Sequence, residues 1–353
     1  MTDLTKLLQS LSNAFGPPGF EDEVVEILQS RLTESGIETK KDRLKNLYAY
    51  LDHGDRPIIQ LDAHTDEVAF MVQSIRSDGM LAFITLGGIR PENLGAQRVV
   101  IKNLRGELIK GVIASIPPHF LKGVEAKAPT IDQLFIDVGA RSEQELREDY
   151  QIDIGCVGVY DISFEADEAR GRYYGRAFDC RIGCTALTKT LEALKDEDLG
   201  VSVVGSYSVQ EEVGLRGAIV TSRTIKPDIA IVFEGAPADD TINQGHTQTA
   251  IGRGPMLRHY DQGMITHPGF QRLAMDIAQE EGIAFQHAVR TGGRNNGASI
   301  HLSGAGVPTI VISLPVRYIH TGNNFALATD LENAIRLAVA IVKRLDRATI
   351  EQL

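Results

Sequence analysis

From Leu4 to Phe15 the apolar positions of LTKLLQSLSNAF recur at helical spacing. After the break GPPGF the same spacing returns in EDEVVEILQSRLTESG, with acidic residues in its first turn, where the helix dipole favours them. Two runs, NLYAYLD and PIIQLDAHTDE, then read as strands. From about residue 71 to 163 the texture changes to short β-like runs (MLAFITLGG, QRVVIKN, ELIKGVIAS, LFIDVGA, GCVGVYDISF) separated by turn residues, with one Pro-containing loop, SIPPHFLKGVEAKAPT. That pattern predicts a small all-β module.

Beyond it, helices and strands alternate. A helix begins at Cys180, followed by the strand VSVVGSYSV, a helix from Gly217, the strands DIAIVFEG and PMLRHYD, the helix FQRLAMDIAQEEG, the strand TIVISLP and a final helix DLENAIRLAVAIVKRLDRATIEQL. Apolar strands alternating with amphipathic helices imply an α/β sheet covered on both faces. The predicted plan is a discontinuous α/β domain, residues 1–70 and 164–353, carrying an inserted β domain at 71–163.

Composition narrows the partners. With 36 Lys and Arg against 47 Asp and Glu, the formal charge of -11 disfavours nucleic acid and anionic membranes, and leaves small substrates, peptides and cations open. The opening MTDLTKLLQSLSNAF lacks a basic start followed by an apolar core, and no apolar run approaches membrane-spanning length, so a soluble, cytoplasmic protein is expected. The three cysteines, Cys156, Cys180 and Cys184, suit a reduced compartment. Cys180 and Cys184 are four apart on a predicted helix and read better as small buried core residues than as half of a zinc site.

The chemistry gathers where strands end. In open α/β sheets ligands bind beyond the carboxyl ends of the strands. PIIQLDAHTD ends in His64 and Asp66, VSVVGSYSVQ in Glu211 and Glu212, DIAIVF in Glu234 and TIVISLPVRYI in His320, while Asp179 stands ahead of the helix that follows the insertion. Singly, each has an ordinary reading: a helix cap for Asp179, an Arg partner for Glu234, a solvated turn for the adjacent glutamates. Together, two imidazoles and several carboxylates supply what a dinuclear zinc, cobalt or manganese site needs. Two divalent cations would neutralise the clustered acids, one of the adjacent glutamates acting as ligand and the other as proton carrier. Neighbours on a regular strand point to opposite faces, so both can approach only where the strand frays, which VGLRG is expected to provide. His64 and Asp66 share a face, so the carboxylate can orient the imidazole.

The blocks DAHTDEVAFMV, RAFDCR, SVQEEVGLRGA and RYIHT, in this order around a β insertion, resemble the dinuclear metallo-aminopeptidases that include glutamyl aminopeptidases, tetrahedral aminopeptidases and cellulase M-like proteins. The resemblance implies a three-layer zinc-peptidase-like domain with an inserted barrel or PDZ-like domain. It implies two metals per subunit, His64 and Glu234 grouping with one and Glu212 and His320 with the other, the assignment of His320 and Glu234 between the two ions staying open, with Asp179 bridging, Glu211 as general base and Asp66 behind the ligands. It also implies short peptide substrates and dimers, built through the insertion, that assemble to a dodecamer. Three departures stand out: Glu234 where many relatives have Asp, GGRNNGA with Asn295 where an acid is common, and TGNNFA after His320. Arg258 in GPMLRHYDQG has two readings, an Arg paired with Asp261 at the surface or a pocket residue selecting acidic N-termini, as a similarly placed Arg does in glutamyl-preferring relatives. A catalytically silent metal-binding assembly and an endoglucanase-type glycosidase are the alternatives. The latter is disfavoured by the absence of Trp and by 6% aromatic content.

Overall fold

The computed structural model describes residues 1–120, 128–242 and 245–353. The Pro-containing loop is therefore seen only at its ends, residues 121–127 lying outside the described residues. Two helices open the chain, α1 (Asp3–Asn13) and α2 (Asp22–Glu34), followed by strands β1 (Glu38–Lys41), β2 (Leu47–Leu51) and β3 (Ile58–His64). Next come β4 (Ala69–Ile75), β5 (Leu81–Leu86), β6 (Arg98–Lys102), β7 (Leu108–Ile113), β8 (Phe135–Asp137), the short helix α3 (Glu143–Glu148) and β9 (Val157–Tyr160). The chain continues through β10 (Glu165–Asp167), β11 (Arg172–Gly175), α4 (Phe178–Leu194), β12 (Ser202–Ser208), α5 (Arg216–Ile225), β13 (Ile229–Pro237), β14 (Met256–Tyr260) and α6 (Pro268–Glu280). It closes with β15 (Gln286–Val289), α7 (Gly297–Ile300), β16 (Thr309–Val316), β17 (Asn324–Leu327), α8 (Ala328–Arg344) and α9 (Arg347–Glu351).

An eight-stranded sheet in the order β1-β2-β12-β3-β13-β16-β14-β15 forms the middle layer. Its central strands β12, β3, β13 and β16 are parallel and buried along almost their whole length, which is why they read as continuous apolar runs. Side chains of α1, α2, α4, α6 and α8 join one face of the sheet in a single large core, while α5 and α7 cover the other through Ala218, Met264, Ile300 and Val232. These are the three layers expected. Strands β4-β5-β8-β7-β6-β9 close into a barrel with a separate core around Phe70, Phe83, Ile101, Ile136 and Tyr160. A small antiparallel sheet, β10-β11-β17, lies beside them.

A buried ion cluster holds the exit of β3, where the chain passes from the sheet to the barrel. Glu67, buried just past the strand end, pairs with Arg176 and, at 3.2 Å, with the fully buried Arg181, whose guanidinium also donates to the Leu11 carbonyl at 2.6 Å. Buried ions need such pairing, since an unpaired one costs several kcal/mol. Two expectations change. The final helix is not continuous: Asp346 accepts a hydrogen bond from the Thr349 N–H and starts α9 as a new helix. Strand β15 lay unrecognised in FQHAV because only its Gln286 and Ala288 are buried, leaving a weak apolar signal.

Candidate active site

Register brings the first two groups together. Asp62 of β3 stands opposite Val232 of β13, where the pairing of these two strands ends, so two residues further on His64, the last residue of β3, and Glu234 lie at one level, with Ser208, the last residue of β12, beside His64. Strand β13 itself does not end at Glu234 as expected but stays paired with β16 as far as Pro237. Strand β12 stops at Ser208, three residues before the glutamate pair and earlier than expected. Gln210 turns the chain with a positive φ of 55°, and Glu211 and Glu212 follow in a loop. Asp66 shapes that loop: its two carboxylate oxygens accept the backbone N–H groups of Glu211 at 2.8 Å and Glu212 at 3.0 Å. Its contact with the imidazole is looser, 3.4 Å from His64 Nδ1, which lies nearer the Asp66 carbonyl oxygen at 3.2 Å.

Asp179 is not a helix cap. It lies in the non-helical turn that precedes the regular part of α4, and its carboxylate reaches the two imidazoles, Oδ1 2.9 Å from His64 Nε2 and Oδ2 3.1 Å from His320 Nε2. Gly235 allows this approach, since a Cβ there would stand 2.8 Å from the Asp179 Cα. Each imidazole is oriented from behind by a carbonyl on Nδ1, that of Asp66 for His64 and that of Gly88, 2.9 Å away, for His320, which turns both Nε2 atoms inward as potential donors to a metal.

The donor atoms fall into groups within 4.8 Å of one another: His64, Asp179, Cys180 and Glu234; His64, Glu211 and Glu212; and Asp179, Glu212 and His320. Asp179 belongs to the first and the last. Glu212 Oε1 and Glu234 Oε2 are buried with no hydrogen-bond partner among the described residues. Burial raises the pKa of Glu212 and Glu234 well above the usual carboxylate range, reinforced by Asp179, and raises Glu211 to about 7 against the pull of His64. Although burial works against it, Glu211 and Asp179 push His64 upward, and Glu212 and Asp179 push His320 to about 10. For Asp179 burial is outweighed by hydrogen bonds to His320 and His64, which hold its carboxyl low. The three glutamates and both histidines thus shift toward holding protons while Asp179 between the imidazoles stays ionised, the pattern of a cluster short of positive charge, and with oxygen and imidazole donors converging, the residues fit divalent cations.

Sequence reasoning missed Gly87 and Gly88. This pair follows β5 of the barrel and reaches the sheet edge, where a Cβ on Gly87 would stand 2.9 Å from Glu212 Oε2 and one on Gly88 3.1 Å from His320 Nδ1. The double glycine in ITLGGIR was the available signal. Arg258 neighbours the donors, its charge opposing the upward shift of Glu234. It is buried, not at the surface, and its Nη1 donates to Asp261 at 3.0 Å, whose carboxylate also accepts from Asn295 at 2.8 Å.

Comparisons with known proteins bear on the chain as a whole. Residues 46–337 match the description of the M42 glutamyl aminopeptidase family. A glutamyl aminopeptidase of Lactococcus lactis is 30% identical over 355 residues, covering 99% of each chain. The solved TET aminopeptidase of a marine-sediment Thaumarchaeota archaeon superposes with a TM-score of 0.95 at 37% identity over 99% of each chain. TET1 peptidase of Pyrococcus horikoshii, whose structure assembles into a tetrahedron or a large octahedral shell, superposes with a TM-score of 0.87 at 26% identity, over 97% of this chain and 100% of that one. On likeness along nearly its whole length, the chain belongs to the M42 glutamyl aminopeptidase family and is a peptide hydrolase of the aminopeptidase class.

Proposed function

We propose that the protein removes N-terminal residues from short peptides in a metal-dependent reaction, with His64 and Glu234 holding one divalent cation, Glu212 and His320 a second, and Asp179 shared between them. The observation that carries this is the Asp179 carboxylate, each of whose oxygens faces a different inward-turned imidazole. Zinc or cobalt suits this donor set best, with manganese next. When bound, the cations supply Lewis acidity that acidifies water and polarises the scissile carbonyl. Glu211, whose carboxylate lies 3.9 Å from His64 Nε2 with few partners of its own, takes the proton from the attacking water and returns it to the departing amine. Asp66 holds Glu211 and Glu212 in place through their backbone N–H groups. The acidic surroundings receive the free α-ammonium group of the substrate, which favours release of the terminal residue over internal cleavage.

Glycosidase chemistry fits poorly, because the carboxylates are grouped with imidazoles, the pairs Asp179–Glu234, Asp179–Glu212 and Glu211–Glu212 each bringing oxygens within 4.8 Å, whereas sugar cleavage sets its two carboxyls roughly 5 to 9.5 Å apart. Selection of acidic N-termini by Arg258 is weakened by Asp261, which already neutralises the guanidinium. A glutamyl substrate is therefore expected to exceed a leucyl one by no more than about tenfold, or 1.4 kcal/mol. Assembly into a homo-oligomer, with dodecamers as its larger form, is supported by the TET1 relative, solved as a dodecamer, and assembly through the barrel by the exposed apolar residues Ile84, Leu108 and Val112 on its strands. A cytoplasmic location accords with the reduced cysteines, and no helix among the described residues is long and apolar enough to cross a membrane.

Aminoacyl p-nitroanilides and short peptides with free or acetylated N-termini test the reading. Activity should vanish on chelation, return with cobalt or zinc, and be confined to free N-termini. A metal-replete protein that leaves all of them intact would identify a silent assembly protein instead.

A further inference from the structure

The two donor groups that share Asp179 differ by one atom type. Around His320 all donors are nitrogen and oxygen, whereas the group around His64 and Glu234 also contains the Cys180 sulfur, within 4.8 Å of every other donor in it. Cys180 is fully buried, and its thiol donates a single weak hydrogen bond, 3.3 Å to the Phe233 carbonyl, the residue before Glu234. Gly183 keeps this place open: a Cβ there would stand 2.3 Å from the sulfur. Glu234, itself 95% buried, belongs to the same donor group and has its Oε2 without a hydrogen-bond partner among the described residues. A core cysteine would serve equally well with its sulfur among methyl groups. This one lies among an imidazole and two carboxylates.

We infer that Cys180 is a further ligand of the inner cation, binding as thiolate beside His64, Asp179 and Glu234, so that the inner position favours softer ions than the outer one. The inference rests on the two-cation reading above. On binding, the S–H bond breaks, the proton leaves to solvent and a sulfur–metal bond forms, with no change of oxidation state. A sulfur donor discriminates for zinc, cobalt(II) and cadmium against manganese and magnesium, which prefer oxygen.

Cobalt reports each part separately. Full-length protein freed of metal by chelation is titrated with Co2+ alone, following the visible ligand-field bands, which register any ordered binding, and near-ultraviolet sulfur-to-cobalt charge transfer, which registers thiolate ligation. Wild type and Cys184→Ala should show both. Cys180→Ser and Cys180→Ala should keep the visible bands and lose the near-ultraviolet absorption. In competition, Cys180→Ser should weaken cadmium binding by about tenfold or more while leaving manganese unchanged. Visible bands without charge transfer in wild type, or charge transfer retained in Cys180→Ser, would overturn the role of Cys180 and leave the two-cation reading standing. If wild type develops no visible bands, both fail together.

Discussion

The inner and outer halves of the candidate site are built differently. The inner half, His64, Glu234 and Cys180, is buried and comes from adjacent parallel strands and the start of α4, all within the large core. The outer half, Glu212 and His320, stands on loops. His320 has a third of its side chain exposed and takes its orientation from a barrel carbonyl. Sheet register and close packing hold the first, whereas the second depends on two separately folded units meeting correctly. The inner position should therefore bind tightly and exchange slowly, and the outer should respond to smaller perturbations.

Asp179→Ala should have the largest effect. It removes the one carboxylate common to both halves, and metal analysis should find at least one cation lost with activity at background. Two cations retained would separate the halves entirely. Next is Glu211→Gln, which should keep both cations and lower kcat by at least about 10²-fold, the scale of lost general-base catalysis. Near-normal turnover in that metal-replete variant would remove Glu211 from the chemistry. Smaller and confined to one half is Gly88→Val, whose side chain would crowd the His320 ring. It should weaken one of two cations about tenfold by calorimetry and leave the other unchanged. Equal loss at both would mean that the halves are a single unit. Smallest at the site is the effect of Leu108→Glu with Val112→Glu on the outward face of the barrel. Sedimentation should show a lower assembly mass, with the inner cation untouched.

The halves also differed in how readily they could be read. His64, Glu211, Glu212 and Glu234 end or follow apolar runs, and a parallel sheet sends all such ends to one edge, so pattern alone brought them together. Asp179 could be read from its position ahead of α4, though only the structure shows that its carboxylate leaves the helix end for the imidazoles. Gly87 and Gly88 were hidden because nothing in a barrel's alternation says which of its turns folds back over a neighbour. The sequence left two readings open for Arg258, and while the Asp261 partner was legible three residues on, its burial was not, because Asn295, 37 positions away, joins Asp261 there. For Cys180 the expectation of burial was correct, and its surroundings followed from the Asp179 turn, whose backbone leaves helical geometry at both residues.

The carbonyl of Gly88 behind His320 has a thermodynamic consequence. If a cation binds at the outer position as proposed, it would favour the barrel placement that keeps that carbonyl behind the imidazole, so metal occupancy and barrel placement would share one coupling free energy. Reciprocity then applies: if subunits join through the barrel and hold it in that placement, assembly raises cation affinity by the same factor by which cations strengthen assembly. Dilution and chelation would thus act as one stress, each making the protein more sensitive to the other, and the peptidase would be most active where the subunits are most concentrated.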